Sequence, residues 1–232
     1  MVELDSIIKV DFVVECDTRL VTSEAHPIGR RDRRKAEARR RLLDAARQLI
    51  ADGGVKGLRI SDVTERADLG FGTFYTYFET KDALIEAVVA EAVTQLASTI
   101  GGAALEIADP AEAASVSYRR FLRFSVDEPQ LARVLIELDR AGDIFESAIN
   151  PWGRETLERG RVTGRFDISD IELGLTSVAA AALAAIRAIL AGRLDPGPTT
   201  ESSGAEMMLR AFGLEADAAR SIAQKDLPPL EP

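Results

Sequence analysis

From residue 42 onward the apolar residues of this chain fall three and four positions apart, a spacing that makes amphipathic helices rather than strands. Leu42, Ala45 and Leu49, together with Leu43, Ala46 and Ile50, define the first apolar face. Caps and breakers divide the chain into ten helical segments, with no convincing strand and no internal repeat, so the expected fold class is all-α. Asp52-Gly53-Gly54 stops the first helix, because glycine accepts the left-handed conformation a helix end wants. Ser61 is placed to cap a second helix that buries Val63 and Ala67 and breaks at Asp68-Leu69-Gly70. A third short helix is expected over Gly72–Tyr77. Thr80 caps a long fourth helix with Leu84, Ile85, Val88, Ala92, Val93 and Leu96 inward, ended by Gly101-Gly102. Asp109-Pro110 opens a fifth to about Val126, and Pro129 a sixth to about Arg140. A seventh spans about Asp143 to Gly160, kinked or divided at Pro151. Ser169 with Glu172 forms a capping box for an Ala-rich eighth helix to about Ala191. Ser203 with Glu206 repeats the box for a ninth, ended by Gly213, and a tenth covers about Ala216–Gln224.

Composition narrows the chemistry. Of 232 residues, 46% are hydrophobic and 29% charged, as in ordinary globular domains. There is one Cys and one His in the chain. A disulfide framework within one chain is impossible, and a Cys/His metal site nearly so. A Ser-His-Asp or Cys-His enzyme would depend on His26, in a polar N-terminal stretch. Neither cofactor nor metal is expected. The N-terminus begins MVELD, which is no secretory signal. The uncharged run from Leu173 to Ile186 has 14 residues, short of the roughly 20 that span a bilayer. No membrane partner and a cytoplasmic location are therefore expected.

The net charge of −9 argues at first against nucleic acid, but it is unevenly spread. Residues 30–81 carry a net of +5, against −4 for residues 1–29 and −10 for residues 82–232. Arg30, Arg31, Arg33, Arg34, Lys35, Arg39, Arg40 and Arg41 oppose only Asp32 and Glu37. Such a run is either a solvated helix face or a source of sequence-independent affinity for phosphate. Residues 1–29, acidic where a DNA arm should be basic, read as a flexible extension outside the fold.

Residues 59–84 read RISDVTERADLGFGTFYTYFETKDAL. Two short helices around a Gly-containing turn have the spacing of a helix-turn-helix. A second helix of about two turns lets most of its outward side chains enter a major groove. Gly72 permits close approach of the backbone to phosphate. Thr73 and Thr76 offer hydroxyls, and Tyr75 and Tyr77 offer phenols. Tyr75 and Tyr77, two apart, cannot share one helix face. Phe74 and Phe78 lock the small core. Lys81 stands in the first turn of the fourth helix, where its charge opposes the dipole unless a phosphate sits there too.

The stretch from about Arg39 to Leu96, and above all GFGTFYTYFETKDAL, resembles the TetR (tetracycline-repressor-like) family of transcriptional regulators. The resemblance implies an N-terminal three-helix helix-turn-helix bundle, joined by a long helix to a C-terminal helical bundle. Residues 1–29 would be an extension, 30–98 the DNA-binding domain with its helix-turn-helix at about 59–78, and 99–232 the regulatory and dimerisation domain. Ser61 and Thr64 match the helix that approaches the DNA backbone. Phe71, Gly72, Thr73, Tyr75, Thr76 and Tyr77 match the recognition helix, and Lys81 the phosphate clamp. Phe71 departs from the family, which has a polar or basic residue there more often; it offers an apolar touch instead. The partners implied are double-stranded DNA at a palindromic operator, a second copy of the chain and a small, mostly apolar effector. Candidates for the effector site are Phe121, Phe124, Leu135, Phe145 and Trp152, with Arg119, Arg123 or Asp139 for polar contact. The small residues of VAAAALAAI suit close helix pairing across a two-fold axis. The competing readings are an all-helical enzyme, and an all-helical sensor or interaction module without DNA binding.

Overall fold

The structure, a computed structural model, describes residues 30–138 and 140–229. The expectations for residues 1–29 and for Asp139 lie outside these. Ten α-helices form: α1 (Arg30–Gly53), α2 (Ile60–Arg66), α3 (Phe71–Phe74), α4 (Lys81–Leu105), α5 (Pro110–Asp127), α6 (Pro129–Glu137), α7 (Ala141–Val162), α8 (Ile171–Leu190), α9 (Pro198–Ala211) and α10 (Ala216–Ala223). A single 3-10 turn, Val55–Gly57, links α1 to α2, and no strand occurs among the described residues.

The first four helices pack on one another around Leu42, Ala46, Ile50, Val63, Phe74 and Leu84, all fully buried. The predicted punctuation explains their ends. Gly54 stands at φ 70 beyond α1. The Ala83 amide donates to Thr80 Oγ1 at 3.0 Å, capping α4, and the Ala111 amide donates to Asp109 Oδ1 at 2.9 Å, capping α5.

Several boundaries differ from expectation. The helix α2 begins one residue before Ser61, whose hydroxyl turns instead to Asp62 Oδ1. Asp170, not Ser169, caps α8 by accepting from the Leu173 amide at 3.1 Å. The helix α9 starts at Pro198, so Ser203 lies inside it and closes no capping box. Most consequential, α4 runs straight through Gly101-Gly102 to Leu105. Each mid-helix glycine costs about 0.5–1 kcal/mol, but at Gly101 a side chain has no room: an added Cβ would lie 2.2 Å from Trp152 Cγ. The crossing of α4 and α7 needs that glycine. Likewise α7 continues unbroken through Pro151, which is exposed.

Both α4 and α8 are long and apolar enough, by length and composition alone, to cross a bilayer. In the fold α4 spends its apolar residues on the bundle, burying Leu84, Ile85, Val88, Val89, Ala92 and Val93 among others. Across the C-terminal helices, Arg123 of α5 makes a two-pronged contact with Glu201 of α9 at 3.0 and 2.8 Å, and Glu201 is fully buried. Arg165 grips Asp109 in the same manner, 3.0 Å to each oxygen. After α10 the chain is held along α5: Arg119 donates to the Lys225 carbonyl at 2.6 Å and Arg120 to the Pro228 carbonyl.

Candidate functional site

The turn between α2 and α3 is built around Asp68, the one non-glycine residue with positive φ (50°) among those described. Arg41 of α1 secures it, donating to both its carboxylate (2.9 Å) and its carbonyl (3.1 Å). Gly70 then starts α3 without a side-chain cap. The third helix is shorter than the predicted Gly72–Tyr77. Only Phe71–Phe74 is α-helical, and tight turns carry the chain on to Phe78, with Thr76 bonded to the Thr73 carbonyl and Tyr77 to that of Phe74. Phe74 and Phe78 are buried as expected, and they anchor this short element from beneath.

Anchored in this way, α3 presents a defined surface. Phe71 (55% exposed) and Tyr75 (52%) stand out together, one turn apart, edge to face at 5.8 Å. Tyr75 also meets Phe74 at 5.2 Å, so its ring is braced on two sides. Thr76 and Gly72 are exposed, and Thr73 and Tyr77 half-buried. Nothing lies within 4 Å of a Cβ added to Gly72. The fold itself does not demand glycine there, and the backbone at Gly72 is open to solvent. Ser61, on α2, is exposed. Thr64 is not part of it: it is buried at 3% and its hydroxyl donates to the Ser61 carbonyl at 3.0 Å. Its place on α2, next to Val63, turns it inward. Lys81 is half-buried, and its Nζ donates to the Leu58 carbonyl at 3.4 Å. The first turns of α1 extend past the core with Arg31, Arg34, Lys35 and Arg40 exposed, and Arg39 lies 5.4 Å over the Phe78 ring.

The other half of α4 leads to a second site. Ala97, Ile100 and Gly101 form one wall of a partly open cavity of about 70 Å³ between α4, α5, α7, α8 and the end of α9. Of the predicted effector-site residues, Phe121, Phe145 and Trp152 line it, with the first two rings T-shaped at 4.9 Å. Phe124 and Leu135 do not; they are buried in the surrounding core. Arg119 and Arg123 face the chain terminus and Glu201 instead, so neither serves as a polar contact in the cavity. Sequence reading missed Tyr118, Ser117, Thr156 and Leu175, which line it. Tyr118 carried a signal, since it lies three residues before Phe121 on the same face of α5. The Thr156 hydroxyl is already donated to the Trp152 carbonyl at 3.0 Å. Burial pushes the Tyr118 phenol above its ordinary pKa, so it stays neutral. Among the described residues no charged side chain lines the cavity.

Between the two sites, two ion pairs tie the first helices to the later ones: Arg47 to Glu128 at 2.9 Å and Arg140 to Glu86 at 3.3 Å. Among the described residues no group of three or more His, Cys, Asp or Glu side chains is placed to hold a metal.

Comparison with known proteins bears on both sites. Residues 42–88 match the model of the tetR family of bacterial regulatory proteins, and residues 109–225 that of the tetracyclin repressor-like C-terminal domain. Among solved structures, RolR in complex with resorcinol is 32% identical with a TM-score of 0.77, over 86% of this chain and 99% of that one. RolR without ligand gives 31% and 0.72, over 83% and 100%. Among curated proteins, the uncharacterised HTH-type regulator YvdT of Bacillus subtilis is 37% identical over 62 residues, 27% of this chain and 32% of its own length. The transcriptional repressor KstR of Rhodococcus jostii is 41% identical over 54 residues, 23% of this chain and 26% of its own. The chain thus aligns with about a third or less of the length of these two curated relatives.

Proposed function

We propose, from the premise that this chain belongs to the TetR family of bacterial regulatory proteins, that it is a ligand-responsive repressor of transcription. It binds a palindromic operator as a homodimer in the cytoplasm and lets go when a small molecule fills the cavity. One observation carries the reading: α4 is a single unbroken helix whose first turns support the exposed α3 surface and whose later turns wall the cavity. A ligand that shifts α4 therefore shifts the reading head, and the operator-bound and released forms differ in what the cavity holds.

On DNA, Phe71, Gly72, Thr73, Tyr75, Thr76 and Tyr77 enter the major groove, Ser61 approaches the backbone and Lys81 meets a phosphate. The basic overhang of α1 adds affinity that does not depend on sequence. The domain boundary falls inside α4, near residue 98. The homodimer forms through α8 and α9. The outer face of α8 exposes Leu173 (64%) with Thr176, Ser177, Ala180, Ala181 and Ala184, and α9 exposes Met207 (73%). Small side chains there suit two helices from each subunit in a four-helix bundle.

The effector is small, uncharged and mostly apolar. The apolar lining supports this, and so does the likeness to RolR, which was solved with resorcinol. A gel shift with the DNA flanking this protein's own gene tests the reading, followed by titration with resorcinol or phenol. A shifted band that fades as the small molecule is added is the expected result. No retention of that DNA at low salt would overturn the assignment in favour of a sensor without DNA binding.

A further inference from the structure

The cavity is tight for its proposed guest. Its volume of about 70 Å³ is roughly half that of an engineered apolar cavity of ~150 Å³ that takes up benzene. A ring-shaped ligand gains room if a wall moves. Most of the walls are core: Phe145, Leu157, Leu175 and Ala182 are buried. Trp152 is only half-buried, and it follows Pro151. A proline inside a helix has no N–H to give the Ser147 carbonyl, which weakens that turn of α7.

On its inner side Trp152 rests on Gly101. A Cβ on Gly101 would lie 2.2 Å from Trp152 Cγ, 2.4 Å from its Cβ and 2.6 Å from its Cδ2. The indole fills a notch that exists only because residue 101 has no side chain. The Cβ contact shows further that α4 and α7 meet here almost backbone to backbone, where a rotamer change gives no relief.

We propose that Trp152 is the movable wall of the effector cavity: an uncharged, flat aromatic ligand lifts the indole off Gly101, takes its place between α4 and α7, and so drives α4. This rests on the effector-responsive reading above and names its ligand class and its moving part. The polar groups offered to a ligand are the Ser117 and Tyr118 hydroxyls and the acceptor side of the Thr156 hydroxyl, so one or two ring hydroxyls complement the site, and among the described residues a carboxylate finds no cation in the lining.

Trp152 is the sole tryptophan of the chain, so indole fluorescence excited apart from tyrosine reports this wall alone. The probes are phenol and resorcinol, with benzoate and hexanol for contrast. The expected result is that phenol or resorcinol makes Trp152 more accessible to acrylamide and releases operator DNA over the same concentration range, while benzoate and hexanol do neither. In Gly101→Ala the added methyl wedges the helices apart, and operator affinity falls about tenfold or more without any ligand. Trp152→Ala, which does not strain the crossing, should still bind the ring probes by calorimetry but lose their effect on DNA. If probes bind and release operator while acrylamide quenching stays constant, or if Trp152→Ala responds like the wild type, the wall lies elsewhere and this inference is overturned while the repressor reading stands. If neither ring compound binds by calorimetry, the ligand class is wrong. Operator binding without ligand is the separate measurement on which the repressor reading itself depends.

Discussion

Replacing Lys81 with alanine separates two roles that one ammonium group can play. Within the protein it donates to the Leu58 carbonyl at 3.4 Å, beyond the usual N–H···O range, so the loss costs well under about 1 kcal/mol. Its place in the first turn of α4 is unfavourable to the helix dipole, and removing it returns about 0.3–1 kcal/mol. The two effects nearly cancel, and the melting temperature should stay within about 2 °C. On DNA nothing cancels. A dimer brings two such lysines to the operator, and each phosphate contact contributes about 0.9 to the slope of log affinity against log salt. Losing both flattens the slope by about 1.8, so the deficit of the variant shrinks about tenfold between roughly 50 and 200 mM salt. Fluorescence anisotropy with labelled operator, run over that range, measures the slope directly. An unchanged slope, or an affinity loss that tracks a fall in melting temperature, would show that Lys81 serves only to fasten α4 to the Leu58 turn.

Other perturbations probe the body of the protein. Arg123→Ala leaves the Glu201 carboxylate buried without its partner and should lower the unfolding free energy by about 3–5 kcal/mol in urea titrations, whereas replacing both residues with methionine should recover most of it; equal losses in the two variants would refute the pairing. For Asp109, burial raises the carboxyl pKa, but hydrogen bonds from Arg165 and the Ala111 amide outweigh it and hold the group below its ordinary 3.8. A lowered folded pKa stabilises above that value and fades as the pH falls through the folded one, so the stability gap to Asp109→Asn should close below about pH 4; a gap constant with pH would contradict it. Met207→Glu on the exposed face of α9 should halve the mass seen by light scattering, and an unchanged mass would place the dimer contact elsewhere.

Local signals made the helices and the exposed α2–α3 turn region legible. Thr80, Asp109-Pro110 and Asp52-Gly53-Gly54 act on their own neighbours, and their effect can be read from a few residues. The error at Ser203 was also local, because Gly197-Pro198 marked the true start of α9. What sequence reading could not supply was decided by another helix. Gly101-Gly102 reads as a stop until Trp152 is seen to occupy the space beside it. Thr64, Phe124 and Leu135 are plausible site residues by type, and only packing turns them into the core. Arg123 looked like a polar contact for a ligand, yet Glu201, far along the chain, claims it.

The fastening of the chain after α10 has a consequence for how this segment can evolve. Arg119 and Arg120 bind main-chain carbonyls, those of Lys225 and Pro228, and a carbonyl is present whatever side chain a residue bears. Among the described residues, side chains of this segment add the Lys225–Glu112 ion pair and the charge of Asp226 near Arg119. Substitutions along it should therefore drift with little penalty, while a nonsense mutation that shortens it would leave guanidinium groups of α5 without acceptors. Relatives of this protein should conserve the length of this segment more closely than its letters.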